Sequence, residues 1–350
     1  MNILYVSVHA KLEFDEVSLF ETMGHKVFSV GLFARGRPGE PPPPGDETGI
    51  TEGGSSLSRD EHFRRVFAET GCRADYPNTA ENTVLSDAFI DLFDVIVVMH
   101  NLDYISAHWR QLSRRPVVWR TIGQGFFGYE APARELRAQG LKIVRYSPME
   151  ILAPNYAGQD AVIRFCKKSQ AFGPWHGGNG KVLQFSWNFE KRYPLEYGLF
   201  LSSLQGIPYA IGGPDNDSNP NALGQVSDDV QLASFRDYEA YFHCSAFSIP
   251  YNLAFIEAWI AGMPMVVYGD ANLRSTPSFE FYEVPRLIES GVDGYVVATP
   301  SEARTVFSRL LADRDLARAI GARGRERAME LFSEKVIMTK WARFLDEIVR

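Results

Sequence analysis

The sequence predicts an α/β protein made of two doubly wound halves. Three observations predict it. The chain has 350 residues, enough for two domains at roughly 100–200 residues each. Short apolar runs rich in β-formers alternate with helix-periodic segments along most of the chain, the pattern of parallel sheets layered with helices. The alternation lapses near 167–181 and then restarts.

Ile3–Val8 is a short apolar run and reads as a buried strand. Val17, Phe20 and Met23 recur at helical spacing, with Gly24 where a helix C-cap belongs. His25–Phe33 reads as a second strand. From Ala34 to Ser58 the chain is rich in proline and glycine (Arg35-Gly-Arg-Pro-Gly-Glu-Pro-Pro-Pro-Pro-Gly) and predicts a long surface loop. A helix is expected near Asp60–Thr70, then strands at Val95–Met99, Pro116–Arg120 and Ile143–Tyr146. Helices near Asp103–Leu112 and Ala133–Ala138 separate those strands. Gly173-Pro-Trp-His-Gly-Gly-Asn-Gly180 is the expected interdomain linker.

The second half repeats the pattern. Strands are expected at Val182–Phe185, Pro208–Ile211, Ser245–Ile249, Met265–Tyr268 and Gly294–Val297. Helices are expected near Leu195–Leu204, Tyr238–Phe242 and Ala254–Ala261, and three helices close the chain. The domains read as 1–170, 171–332 and a final helical segment 333–350. In doubly wound sheets ligands sit outside the carboxyl ends of the strands, so a cleft between the halves is the expected site.

Composition bounds the function. With 45% hydrophobic and 23% charged residues, wholesale disorder and collagen-like repeats are excluded. Net charge is -7, and the basic pairs Arg64-Arg65, Arg114-Arg115, Lys167-Lys168 and Lys191-Arg192 are scattered. Each pair reads as a solvated face, so no nucleic-acid footprint is indicated. Cys72, Cys166 and Cys244 lie far apart, which argues against a disulfide framework or a cysteine-rich metal site. No 18-residue apolar run and no basic n-region are present. The expectation is a soluble, cytoplasmic protein, with peripheral membrane contact left open.

Two segments could carry chemistry. Gly123-Gln124-Gly125-Phe126-Phe127-Gly128 matches the G-x-G-x-x-G dinucleotide pattern and follows a strand. Pro132 is a natural first helical residue, so the helix is expected to start after the glycines, and no acid closes the next strand. The bland reading is a glycine-rich rim loop. The second segment runs from Ser245 through Pro250, Tyr251, Asn252, Leu253, Glu257 and Gly262 to Pro264. It reads as strand, loop, helix, glycine stop and strand. Asn252 and Leu253 fall at the helix start, where unpaired N–H groups favour a phosphate. Glu257 lies one turn further in, within reach of a sugar hydroxyl pair.

This second segment resembles the signature of glycosyltransferase family 4, whose members are retaining, sugar-nucleotide-dependent enzymes of the GT-B fold. Tyr251, Asn252, Leu253, Glu257, Ala258, Gly262, Pro264, Val266 and Val267 stand at or near matching places. Leu223-Gly224-Gln225-Val226-Ser227-Asp228 is similar to the family's base-reading loop, and Ile211-Gly212-Gly213 to its glycine pair. Phe93-Asp-Val-Ile-Val-Val-Met-His100-Asn101 looks like its Asp-Val-(apolar)-His strand end. The resemblance implies two facing doubly wound (Rossmann-like) domains in GT-B architecture, with the last helix crossing back to the first.

Carried over residue by residue, the resemblance implies that Glu257 binds the ribose. The loop at Tyr251, Asn252 and Leu253 would hold the diphosphate and sugar, and Gln225 and Val226 the base. Lys191 or Arg192 would neutralise the leaving diphosphate, since Trp187 stands where the family has an arginine. Ile249 stands in place of the family's first glutamate, and Pro250 in place of a glycine. His100 and Asn101 are the candidate catalytic pair, and His9, Gly213 and Gln124 are candidate loop residues. The implied reaction is hexosyl-type transfer from a nucleoside-diphosphate sugar such as a UDP-sugar, with retention, no metal and no cofactor beyond that co-substrate. The acceptor stays open among glycan, lipid, small molecule, protein and modified base. Three rivals stand beside this reading: a non-catalytic sugar-nucleotide-binding protein, a sugar-nucleotide 2-epimerase of the same fold, and a nicotinamide enzyme using the glycine loop.

Overall fold

A computed structural model describes residues 1–31, 60–74, 78–123, 127–269 and 279–349. The predicted 34–58 loop and Gln124 lie outside the described residues. The chain divides into two compact units, one of Met1–Cys166 with Glu334–Arg350, the other of Lys167–Ser333. The division falls at 166/167, and 173–180 belongs inside the second unit. There Trp175 N donates to Ala261 O at 3.0 Å and Gly178 N to a Glu239 carboxylate oxygen at 2.8 Å.

The first unit runs β1 (Asn2–Val6), α1 (Ala10–Thr22), β2 (Lys26–Val30), α2 (Glu61–Glu69), β3 (Arg73–Ala74), β4 (Thr83–Val84), α3 (Asp87–Ile90) and β5 (Val95–Met99). It continues with α4 (Leu102–Leu112), β6 (Val117–Arg120), α5 (Glu130–Ala138), β7 (Lys142–Arg145) and β8 (Ala161–Val162). The sheet order is β2-β1-β5-β6-β7-β8, every pair parallel, with β3 and β4 forming a small antiparallel pair beside it. Strands buried on both faces need near-continuous apolar sequence, and β5 is buried at all five positions. Phe28, Phe63, Phe67, Phe89 and Phe93 pack into one aromatic cluster under it, with Phe63 and Phe93 centroids 4.9 Å apart. The helix before β7 starts at Glu130, so Pro132 is its third residue rather than its first.

Two buried arginines end β6 and β7. Arg120 donates to Glu16 at 2.7 Å, and Glu16 also accepts from the Tyr5 hydroxyl at 2.6 Å. Arg145 forms a two-pronged pair with Glu130 at 2.7 and 2.8 Å. Charges are tolerated at such depth only when paired and hydrogen-bonded. Both guanidiniums meet that condition with side chains and with backbone carbonyls.

The second unit runs β9 (Val182–Phe185), α6 (Phe189–Arg192), α7 (Pro194–Ser203), β10 (Tyr209–Gly212), β11 (Ala222–Gly224), α8 (Asp228–Asp237), β12 (Ala240–His243) and α9 (Leu253–Ala261). After these come β13 (Met265–Tyr268), α10 (Val284–Leu287), β14 (Tyr295–Val297), α11 (Pro300–Ala312) and α12 (Arg314–Phe332). Its all-parallel sheet has the order β11-β10-β9-β12-β13-β14, so the winding reverses between β9 and β12. The predicted helix at Tyr238–Phe242 and strand at Ser245–Ile249 are both corrected. Ala240–His243 is the strand, Ser245–Ile249 is loop, and the helix is α8, capped by the Ser227 side chain. Four consecutive buried residues show no alternation, so their period does not separate strand from helix.

The last helix, α13 (Glu334–Val349), belongs to the first unit. Trp341 is fully buried there, edge-on to Phe20 with centroids 5.0 Å apart, and the Arg120 guanidinium lies over its ring. The chain enters and leaves the second unit side by side. Lys167 and Ser333 form a parallel bridge, and Lys167 N donates to Phe332 O. No helix among the described residues is long and apolar enough to cross a membrane.

Candidate functional site

Open parallel sheets bind ligands outside the carboxyl ends of their strands, where the winding reverses. In the second unit that place is the end of β9 and β12. Among the described residues five non-glycine positions have positive φ, and four of them follow such strand ends. They are His100 after β5, Asn188 after β9, Asp215 after β10 and Ala246 after β12. Left-handed backbone costs about 1–3 kcal/mol at such residues and persists where surrounding structure enforces it.

After β12 the chain loops to α9, a nine-residue helix. Asn252 is its N-cap, its side-chain oxygen accepting from Phe255 N at 2.9 Å. That bond serves the third helical amide and leaves the first two, of Leu253 and Ala254, without an intrahelical acceptor. Gly262 ends the helix at φ 83, the left-handed conformation that glycine supplies without a Cβ penalty. Tyr251 is 3% exposed and packs its ring edge-on to Phe332. Beneath the loop, His243 is fully buried, with Nδ1 2.7 Å from the Tyr282 hydroxyl. Burial pushes its imidazole pKa down to about 3, against the opposing influence of Asn252.

Glu257 lies one turn into α9 and is 5% exposed. One carboxylate oxygen is 2.8 Å from the Lys167 ammonium, and the other accepts from Gln231 Nε2 at 2.7 Å. Gln231 stands in the first turn of α8, just past the Gln225-Val226 loop. Gln225 is exposed and Val226 half-buried. Neither Lys167 nor Gln231 was indicated by the sequence, which offers Lys167 only as half of a surface pair.

The turn after β9 carries the other predicted cations. Lys191 and Arg192 are both exposed at the end of α6. The Arg192 guanidinium lies over the rings of Trp187 at 4.9 Å and Tyr193 at 5.2 Å. Trp187 is 53% exposed, and its Nε1 donates to an Asp215 carboxylate oxygen at 2.5 Å. Gly213, between β10 and Asp215, has φ 111, and a Cβ there would stand 2.5 Å from Ser186 O. Glycine is therefore required where the β10 loop meets the β9 loop.

The remaining predicted residues belong to the first unit. His9 caps α1, its Nδ1 accepting from Leu12 N at 3.3 Å. Asn101 is committed at both ends of its amide: the oxygen caps α4 through Tyr104 N, and the nitrogen donates to Asn78 O at 2.6 Å. His100, between them in the chain, is half-buried at φ 68 and meets the Tyr129 ring edge-on at 5.9 Å. Burial lowers its pKa, opposed by Ile122 and Asp103. In the glycine-rich loop Gly128 sits in a short turn at 127–129 and α5 starts only at Glu130. The third glycine thus precedes the helix, unlike the dinucleotide pattern. Among the described residues no group of three His, Cys, Asp or Glu is placed to hold a metal ion.

No protein-family model and no curated protein sequence matches the chain. Solved structures do match, over nearly all of it. Sucrose-phosphate synthase from Thermosynechococcus elongatus superposes with a TM-score of 0.65 at 13% identity, covering 99% of this chain and 98% of its own. HepE from Anabaena, solved in complex with UDP-glucose, superposes at 0.65 and 12% identity, covering 99% and 100%. A glycosyltransferase from Rickettsia africae superposes at 0.65 and 13% identity, covering 100% and 98%. The fold is GT-B. At such identities the likeness is one of architecture, and activity has to be argued from the site.

Proposed function

We propose that this protein is a glycosyltransferase that takes its sugar from a nucleoside-diphosphate donor. The observation that carries the reading is the β12–α9 segment: two helix-start amides without intrahelical partners, and Glu257 one turn beyond them. An anion at the amides and a diol at the carboxylate describe a nucleoside diphosphate. HepE was solved with UDP and with UDP-glucose, which supports a uridine nucleotide as the first donor to try.

In this scheme the bond from the anomeric carbon to the diphosphate oxygen breaks as the acceptor nucleophile bonds to that carbon, and the proton the nucleophile carried leaves on the departing diphosphate. Positive charge grows on the sugar and negative charge on the departing diphosphate. Helix-start amides and the Arg192 fork are suited to stabilise that charge, with no metal or resident cofactor needed in the scheme. Retention of configuration and likeness to family 4 belong to this reading, supported by the motif at Asn252–Pro264; a cytoplasmic location belongs to it as well, supported by the three scattered cysteines. The acceptor is proposed only as a nucleophile of the glycan, lipid, small-molecule, protein or modified-base classes.

The test is a thermal-shift panel followed by mass spectrometry of donor–acceptor mixtures. Stabilisation by UDP or GDP but not NAD, together with transfer or slow hydrolysis of a sugar donor, is expected. Stabilisation by NAD alone would sink the reading. A second reading, a non-catalytic sugar-nucleotide binder, draws support from Ile249 and Trp187 standing where the family has glutamate and arginine. Tight nucleotide binding with neither transfer nor hydrolysis of any donor would favour it.

A further inference from the structure

The pair Lys167-Lys168 has the look of a solvated surface patch, yet the two side chains part company. Lys168 is exposed, while Lys167 is 6% exposed and places its ammonium 2.8 Å from Glu257. A long, strongly hydrated cation is seldom withdrawn from water unless its partner is fixed and close.

The arrangement fixes the carboxylate from two sides. Lys167 holds one oxygen and Gln231, reaching from α8, holds the other at 2.7 Å. Each carboxylate oxygen has a second lone pair, so both remain able to accept from a ligand hydroxyl. The ammonium is itself delivered from a pinned backbone, because Lys167 N donates to Phe332 O and the residue bridges Ser333. A ligand-binding group held in this way loses little rotational freedom on binding.

We propose that Lys167 is a positioning residue for ribose recognition: it orients the Glu257 carboxylate so that both oxygens meet the 2′- and 3′-hydroxyls of the nucleotide. The proposal rests on the reading that Glu257 faces the ribose. It assigns Lys167 no contact with the nucleotide.

Calorimetric affinities for UDP and for 2′,3′-dideoxy-UDP, measured on the wild-type full chain, Lys167→Met and Glu257→Gln, test it. Wild type is expected to prefer UDP by about tenfold or more, the worth of a charge-assisted hydrogen bond. Both variants should lose most of that preference while binding dideoxy-UDP within about threefold of wild type. Should Lys167→Met fail to fold, Lys167→Gln is read by the same criteria. A lysine variant that keeps the wild-type preference, or weakens both ligands equally, overturns the proposal and leaves Lys167 a structural ion pair. Glu257→Gln with full preference, or no UDP binding by wild type, overturns the ribose reading itself and the proposal with it.

Discussion

The Arg192 guanidinium lies 4.9 Å over the Trp187 indole, whose Nε1 is in turn tied to Asp215. Among the described residues neither Arg192 nor Lys191 has a carboxylate partner within ion-pair distance. A guanidinium held by stacking keeps its in-plane donors free for an anion. Arg192→Met should therefore weaken UDP binding by about 1.5–3 kcal/mol, and Trp187→Leu by about 0.5–1 kcal/mol. Uridine affinity should stay unchanged in both. Calorimetry with UDP and uridine checks this, and equal losses for the two ligands would count against a diphosphate role.

Breaking the Lys167–Glu257 pair from one side strands a buried charge. Lys167→Met and Glu257→Met should each destabilise the second unit by about 3–5 kcal/mol, while the double variant recovers most of the loss. Denaturant unfolding of the four proteins measures the coupling. Additive losses would mean that the two side chains act independently. Glu257→Ala should also weaken nucleotide binding by about 1–3 kcal/mol.

His243 gives the fold a pH dependence of known sign. Its folded pKa is about 3, against about 6.5 in the unfolded chain. Between those values the unfolded state binds a proton that the folded state refuses, so stability falls as pH drops through that window and is flat above it. His243→Gln should remove a slope of about 1.4 kcal/mol per pH unit. Unfolding free energies of both proteins at pH 5, 6 and 7.5 test it. An identical slope in the variant would mean that His243 titrates normally.

His100 occupies left-handed backbone that glycine adopts without penalty. His100→Gly should therefore leave stability within about 1 kcal/mol of wild type, or raise it. Under the transferase reading, turnover should fall far more than nucleotide affinity. Wild-type turnover in a well-folded glycine variant would remove the imidazole from the chemistry.

Legibility in the sequence followed how local each determinant is. Val95–Met99, Val182–Phe185 and Met265–Tyr268 match their predicted strands residue for residue. Each is a mostly apolar run bounded by polar or turn-forming residues, Gln184 being the one polar residue within the three. Ala240–His243 failed because four consecutive buried residues carry no period that separates strand from helix, and only the ladder partners β9 and β13 decide it. The helix that carries Glu257 was readable from its start and its glycine stop. Lys167 and Gln231 were not, because they meet it only after distant segments fold together. The platform at Trp187 likewise depends on left-handed turns at Asn188 and Asp215 that composition does not announce.

The bridge between Lys167 and Ser333 makes the second unit an insertion whose ends are already joined, and α13 is the far side of that insertion. Synthesis runs in the opposite sense to completion. The first unit leaves the ribosome first, yet Phe20 and Arg120 lack their Trp341 cover until the last helix emerges. The unit begun earliest is finished last, after the inserted one has had time to fold. A nascent chain stalled before residue 334 would thus carry an uncovered aromatic face, a natural handle for chaperones.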